Sequence, residues 1–516
     1  MTVTQPKPNP NPNPNPTPAL AEVLKRARVA QDLESAAALL SWDRQTMMPP
    51  AAHEGRAQQL AALAAVVHEK LTDPGFADAV NALAAEQPTE GSDAAAVVRL
   101  VRRSIRLATA VPKELVRESA LATSRAQQVW QRAREEGDGA AFLGPLGEVL
   151  RLKREEADAI GWQGHRYDAL HDRFEPGSTK ARLDEVFAPL RSRLPELLAQ
   201  VREQGRPVDA TVLQAEIEPR EQEAFVRELV ADLGYDFGAG RLDPTVHPFC
   251  ETVGPGDVRI TTRYARNFLP TALFGTVHEA GHALYEQGIR TTDLRTPIGT
   301  AASMAVHESQ SRLWENQVGR SVAFWEGRYP GLQRAFPGAF GAVSLDRFLA
   351  AVNRIEPSLI RVEADEVGYP LHVLLRYDLE VALVEGSLST RELRSAWNEG
   401  MQRLLGIVPA DDASGFLQDV HWSMGAFGYF PSYALGTMMS AQLWTAAQRA
   451  LGDLDGQLRA GRYIELLGWL RRNVHEVGAR LEPDELTVRA TGAPLGAGPY
   501  LEHLAARVDA ATTGAS

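Results

Sequence analysis

The sequence predicts a mainly α-helical protein: one large helical unit with a short β-region near its middle. Three observations carry this expectation. Apolar residues recur at three- and four-residue spacing from about residue 19 to about residue 507. The stretch 241–266 breaks that pattern, being rich in Thr, Val, Pro and Gly. Beyond the first 18 residues no repeat and no linker-like composition interrupts the chain.

Residues 6–18, PKPNPNPNPNPTP, alternate Asn with Pro and cannot form a helix interior or a sheet ladder. A solvated, polyproline-like tail over 1–18 is expected, and a partner-binding motif is the minor alternative. The first helix carries Leu24, Val29, Leu33, Leu39 and Leu40 and is stopped by Pro49-Pro50. EGRAQQLAALAAVVHEKL then opens a second helix. Helical patterns follow over 94–110, 113–136, 139–160 and 179–203, and PREQEAFVRELVADL runs to Gly234. Within the break, VRITTRY alternates as a strand does, with Val258, Ile260 and Thr262 on one face and Arg259, Thr261 and Arg263 on the other. Helical patterning resumes to about 507, so 19–507 reads as a single domain and 508–516 as a flexible end.

Composition excludes several classes. The 516 residues are 44% hydrophobic and 23% charged, ordinary values for a globular protein. A net charge of −12 and the lack of a dense Lys/Arg run argue against nucleic-acid binding. No apolar run approaches the roughly 18–20 residues that cross a bilayer, so no membrane partner is expected. The N-terminus lacks the layout of a secretory signal and Cys250 is the single cysteine. Both fit a reducing cytoplasm, with Cys250 a buried structural thiol rather than a nucleophile.

The most chemically specific segment is FGTVHEAGHALYEQG, containing His278-Glu279-Ala280-Gly281-His282. Two histidines four residues apart lie on one helix face, where both can hold one metal ion, with the intervening glutamate in reach of a water. The helix is expected to begin after Pro270, with Thr271 as its cap, and to end at Gly288. Leu273, Phe274, Val277 and Leu284 give it a buried side that the histidines border. The alternative is a hydrogen-bonded pair of core histidines. A catalytic site needs a third ligand. The metzincin extension would place glycine at 285 and histidine at 288, but the chain has Tyr285 and Gly288, so that subclass is excluded. The following helix, SMAVHESQSRLWENQVG, offers Glu308, Glu315 and His307, and spacing does not choose among them. Glu308 could instead pair with Arg312 at i,i+4 on a solvated face.

Six ordered motifs accompany this run: His247-Pro248-Phe249; Asp257 to Thr261 (DVRIT); HEAGH; His307-Glu308-Ser309-Gln310; Ile360 to Asp365 (IRVEAD); and Gly415 to Trp422 (GFLQDVHW). With LLSWDRQTMMPP near the N-terminus, they make the chain resemble the M32 family of metallocarboxypeptidases, typified by thermostable carboxypeptidases of bacteria and archaea. The resemblance spans about residues 20–505 and leaves the Asn-Pro tail unexplained. It implies a helical metallopeptidase fold with a deep central groove and the β-region beside the HEAGH helix. It implies His278, His282 and Glu308 as metal ligands and Glu279 as general base and acid. It also implies a homodimer acting on peptides.

Carboxypeptidase chemistry asks for more. An oxyanion needs a donor, and Tyr429, Tyr433 and His421 are candidates, the tyrosines being equally readable as core aromatics. A terminal carboxylate needs a fixed cation, for which Arg361 is favoured over Arg259. Either arginine could instead serve a structural ion pair, for instance with Asp365 or Asp257. Zinc is the expected cofactor, one divalent ion per chain, with cobalt or manganese possible at the same ligands. The expected function is release of single residues from peptide C-termini. The alternatives are a helical zinc endo-oligopeptidase and a non-catalytic peptide-binding protein.

Overall fold

The computed structural model describes residues 16–513. The expected Asn-Pro tail therefore falls largely outside the described residues. Its last part is already structural: Thr17 caps the first helix, accepting from Leu20 N, and Pro18 occupies the first turn, where its missing N–H costs nothing. At the other end the last helix, Gly498–Thr513, passes the expected limit of 507 and buries Val508. The expected flexible end is thus helical as far as Thr513.

Helices dominate throughout. The first, Pro18–Thr46, stops before Pro49, and the patterned segments fold as His53–Leu71, Asp93–Ala110, Lys113–Glu136, Gly139–Ile160, Lys180–Gln204 and Pro219–Leu233. Gly234 ends the last of these at φ 111°, a left-handed value that glycine adopts at little cost. Two further helices, Pro74–Ala85 and Arg166–His171, escape the sequence reading.

The expected β-region is a three-stranded sheet: β1 Leu242–Pro244, β2 Cys250–Gly254 and β3 Asp257–Thr262, in the order β1-β3-β2. β3 is central, parallel to β1 (Leu242 opposite Ile260) and antiparallel to β2 (Glu251 opposite Arg259). Val258, Ile260 and Thr262, which share one face, are buried, and Thr261 on the other face is buried too. Its hydroxyl bridges Phe249 N (2.8 Å) and Phe249 O (3.0 Å), which holds the His-Pro-Phe segment against the strand. Thr262 and Thr276 hydroxyls lie 2.9 Å apart and tie β3 to the HEAGH helix.

Two large apolar cores hold the molecule. One gathers the HEAGH helix, Pro219–Leu233, Val322–Ala335 and Ile464–Asn473; the other gathers Gly139–Ile160, Lys180–Gln204, Gly368–Glu385 and Leu393–Leu405. The helix Phe430–Leu451 belongs to both, giving Met439 and Leu443 to the first and Ala434, Met438 and Ala441 to the second. Each fully buried Leu or Phe contributes roughly 1.5–3 kcal/mol, so elements at this seam are anchored from two sides. Among the described residues no helix is long and apolar enough to cross a membrane.

Candidate active site

The HEAGH helix spans Leu269–Glu286. It begins two residues before the expected cap: Phe268 precedes it, Pro270 sits in its first turn, and Thr271 lies inside the helix. It is also more enclosed than an amphipathic helix. Leu273, Phe274, Val277, Glu279, Ala280, Gly281, Leu284 and Tyr285 are all buried. The less buried positions, Thr271, Gly275, His278, His282 and Glu286, recur every three or four residues and form one stripe. The two histidines occupy the middle of that open stripe.

Facing it is the helix Met304–Arg312, capped by Ser303 Oγ accepting from Val306 N and continued by a π-helical turn, Leu313–Val318. The two backbones meet where Gly281 has no side chain: a Cβ there would lie 2.6 Å from Ser311 Cα and 2.8 Å from Gln310 O. This approach brings Glu308 to the histidines. Glu308 Oε2 is 3.6 Å from His278 Nε2 and 3.4 Å from His282 Nε2, and the three candidate ligand atoms lie within 4.8 Å of one another. Donors about 2.0–2.1 Å from a tetrahedral ion stand roughly 3.3 Å apart, so the spacing of Glu308 to each histidine suits one small divalent cation. From behind, Gly436 leaves room for Glu308, since a Cβ there would come within 2.6 Å of Glu308 Cβ.

The Glu308–Arg312 pair exists (Oε1 to Nε, 2.7 Å), but Glu308 is only 5% exposed, so the pair is buried and not on a solvated face. Glu308 thus gives one oxygen to Arg312 and turns the other toward the histidines. Glu315 and His307 stand behind those rings: His278 Nδ1 is 2.9 Å from Glu315 Oε2, and His282 Nδ1 is 2.5 Å from His307 Nδ1. Burial alone would raise the carboxyls of Glu308 and Glu315, but Arg312 and His278 outweigh it and hold both low, Glu315 at about 2. Burial lowers His282 to about 3, whereas at His278 the carboxylates of Glu308 and Glu315 overcome burial and raise it. Glu279 is pushed up to about 7 by burial, against the pull of His278 and with Glu308 and Glu315 adding repulsion. A carboxyl near 7 is suited to taking and returning a proton.

Arg361 is 4% exposed, and its partner is Asp419, not Asp365. Asp365 accepts from Glu356, Val367 and Gly368 N instead, anchoring the start of Gly368–Glu385. Arg361 Nε and Nη2 reach Asp419 Oδ1 at 3.1 and 2.8 Å, and Nη1 donates to Tyr369 OH at 3.0 Å. Asp419 Oδ2 is taken by fully buried Arg376 at 2.5 Å, so one carboxylate serves two guanidiniums and the cluster stays cationic. Tyr369 joins this cluster to the candidate ligands, because Arg312 lies over its ring at 4.3 Å. Arg259, by contrast, spends its fork on Asp257 (2.8 and 2.7 Å) and stacks over Trp42 at 4.3 Å, as the structural alternative anticipates.

Tyr433 lies one turn before Gly436 and thus shares the helix face that packs on Glu308. Arg361 sits 5.0 Å from its ring centre, Tyr429 packs edge-on at 5.1 Å, and His421 Nε2 is 3.4 Å from its hydroxyl. Burial raises both tyrosines, Tyr429 to about 12, and lowers His421 to about 4. Hydroxyls that keep their protons can donate to a developing negative charge. Sequence reasoning assigned no role to Tyr369, Arg376 or Asp419. The 308/312/315 spacing, four and then three, was the available signal for Arg312.

The family model described as carboxypeptidase Taq (M32) metallopeptidase matches residues 22–508. "Thermostable carboxypeptidase 1" of Thermus thermophilus is 43% identical over 497 residues, covering 94% of this chain and 97% of that one. "Carboxypeptidase 1" of Bacillus subtilis is 38% identical, covering 91% and 94%. The crystal structure of an M32 carboxypeptidase from Deinococcus radiodurans R1 superposes with a TM-score of 0.92 at 37% identity, covering 96% of this chain and 99% of that one. A helical fold, a cluster able to hold one cation and these likenesses over nearly the whole length lead to one conclusion: the chain belongs to the carboxypeptidase Taq (M32) family of metallopeptidases.

Proposed function

We propose that this metallopeptidase removes single residues from peptide C-termini, with His278, His282 and Glu308 holding a divalent cation and Glu279 serving as general base and acid. The observation that carries the reading is the pairing of two subsites: the His278/His282/Glu308 cluster and the buried cation Arg361, joined through Tyr369. Two imidazoles and a carboxylate are a donor set suited to zinc, with cobalt or manganese able to use the same ligands. A bound divalent cation would supply the positive charge that acidifies water and polarises the scissile carbonyl.

The protein groups divide the remaining work. Arg361 spends three N–H groups on Asp419 and Tyr369, which leaves one on each terminal nitrogen, the pair that meets a carboxylate two-pronged. Glu279 takes a proton from the attacking water and returns it to the departing amine. Tyr433, flanked by Tyr429 and His421, donates to the oxyanion. Arg259 is supported only as a brace for β3 against Trp42. The family resemblance extends the reading to broad specificity and a homodimer, and the single cysteine fits a cytoplasmic setting.

Incubation of an N-blocked peptide, followed by mass spectrometry, tests the reaction. Sequential loss of C-terminal residues is expected, abolished by a chelator and restored by added metal. A C-terminal amide should be cleaved poorly, and equal cleavage of amide and acid favours an endo-oligopeptidase. Glu279→Gln should keep its metal and lose at least about 10³-fold in kcat, the scale of general acid–base catalysis; undiminished turnover refutes the mechanism.

A further inference from the structure

We infer that Glu315 and the His307–Glu286 pair are positioning residues that fix the tautomers of the two candidate metal-binding histidines by two different devices. The inference rests on the metal-site reading above and assigns functions to three groups outside the ligand set.

A neutral imidazole has one N–H and one lone pair, and only the lone pair can bind a cation. Which nitrogen carries the proton follows from the acceptors around the ring. His278 Nδ1 lies 2.9 Å from Glu315 Oε2, and an ionised carboxylate can only accept. The proton is therefore on Nδ1, and Nε2, the nitrogen 3.6 Å from Glu308, presents its lone pair. Glu315 is itself held by Arg312 at 3.2 Å and Arg320 at 3.5 Å, so this brace is rigid.

His282 lacks a carboxylate at Nδ1 and meets His307 Nδ1 there, 2.5 Å away. Two ring nitrogens at that distance share a single proton. The far side of His307 decides its owner. His307 Nε2 is 2.9 Å from Glu286 Oε1, an acceptor, so His307 carries its proton on Nε2 and offers a lone pair at Nδ1. His282 must then donate from Nδ1, which frees Nε2 toward Glu308 at 3.4 Å. The direction of the whole chain is set by Glu286, one turn beyond His282 on the same open stripe of the helix. His278 is thus oriented by a carboxylate directly, His282 by a carboxylate through an intervening ring. Partners of this kind typically govern metal affinity by 10–100-fold.

The test is zinc affinity of the full-length protein, stripped of metal and titrated against a competing chelator. His307→Phe keeps a ring of similar size and removes the acceptor; His307→Gln keeps an acceptor; Glu286→Leu frees the His307 tautomer at a half-buried position. His307→Phe should bind zinc at least tenfold more weakly than wild type, Glu286→Leu also more weakly, and His307→Gln should recover most of the loss. Melting temperatures of the metal-free variants should match wild type, which a merely structural role would not permit. Equal affinity in His307→Phe, or His307→Gln as weak as His307→Phe, overturns the inference. If the phenylalanine variant does not fold, Glu286→Leu decides, and wild-type affinity there overturns it. Wild-type protein that takes up no zinc refutes the metal-site reading itself, an outcome distinct from either.

Discussion

At the scale of single residues, Arg361 and Arg259 differ in their partners, and the difference is measurable. Both sit in motifs and both carry a fork, so sequence alone left each with two meanings. Arg259 has Asp257 to itself and stacks on Trp42, whereas Arg361 shares its aspartate with Arg376. Removing Arg361 therefore does not orphan Asp419, which retains Arg376, and an Arg361→Met protein should fold. It should lose about 10²-fold in kcat/KM, chiefly through KM, on the expectation of roughly 1.5–3 kcal/mol for a charge-assisted bond to the substrate carboxylate. Arg259→Met should act oppositely, lowering the melting temperature with kcat/KM within a few-fold of wild type. Steady-state kinetics beside thermal melts distinguish them, and a kinetic collapse in Arg259→Met would return it to the substrate. HEAGH itself was legible because one helix fixes its geometry. The partners of Arg361 were not, because Asp419 and Tyr369 arrive from separate segments that only tertiary packing brings together.

At the scale of elements, periodicity and proline located the helices bounded before the β-region to within a turn and left those after Met304–Arg312 undivided, and the alternation of VRITTRY located β3. Pro74–Ala85 was missed even though Asp73 caps it and Phe76, Val80 and Leu83 repeat along it, a weak signal in only twelve residues. What no pattern could give is how closely two helices approach. The HEAGH helix and Met304–Arg312 meet at Gly281, where an added Cβ faces backbone, 2.6 Å from Ser311 Cα. Backbone cannot swing aside as a side chain can, so the helices must part. Gly281→Ala should cost about 1–3 kcal/mol despite the better helix propensity of alanine, and it should weaken metal binding by drawing Glu308 from His282. Gly275→Ala is the control in the same helix. Its Cβ would meet only Thr262 Oγ1 at 3.9 Å, so it should be neutral or more stable by up to about 1 kcal/mol. Thermal melts and zinc titration of the pair check the argument; equal stability of the two variants would mean that the helix contact yields.

At the scale of the whole molecule, the sequence spoke for a helical protein with one β-region but not for two cores sharing the helix Phe430–Leu451, since nothing local marks a helix with two buried faces. Beyond the candidate metal ligands the fold buries further ionisable groups, and these also set how stability depends on pH. His171, His372 and His475 are lowered by burial to about 4, 3 and 3, with Arg376 reinforcing this at His372 and Arg471 at His475. Below their ordinary value the unfolded chain takes protons that the folded one refuses, so each removes stability as pH falls. Glu380 works in the opposite sense. It is fully buried, and burial raises it to about 7 against the hydrogen bonds it accepts from Gly428 N, Tyr167 and Trp422, by which it pins the 411–429 segment to Gly368–Glu385. Above pH 7 its ionised form is a cost to the fold. As pH falls from 7 toward the ordinary glutamate value, the folded state binds the proton first and stability is regained, at about 1.4 kcal/mol per pH unit. Glu380→Gln removes that titration. Its hydrogen-bond loss is an offset common to every pH, so the change in the variant-minus-wild-type difference isolates the charge. That difference should favour the variant more at pH 8 than at pH 5, by on the order of 3 kcal/mol, read from unfolding at the two pH values. A difference that does not move with pH would mean that the three donors keep Glu380 ionised across the whole range.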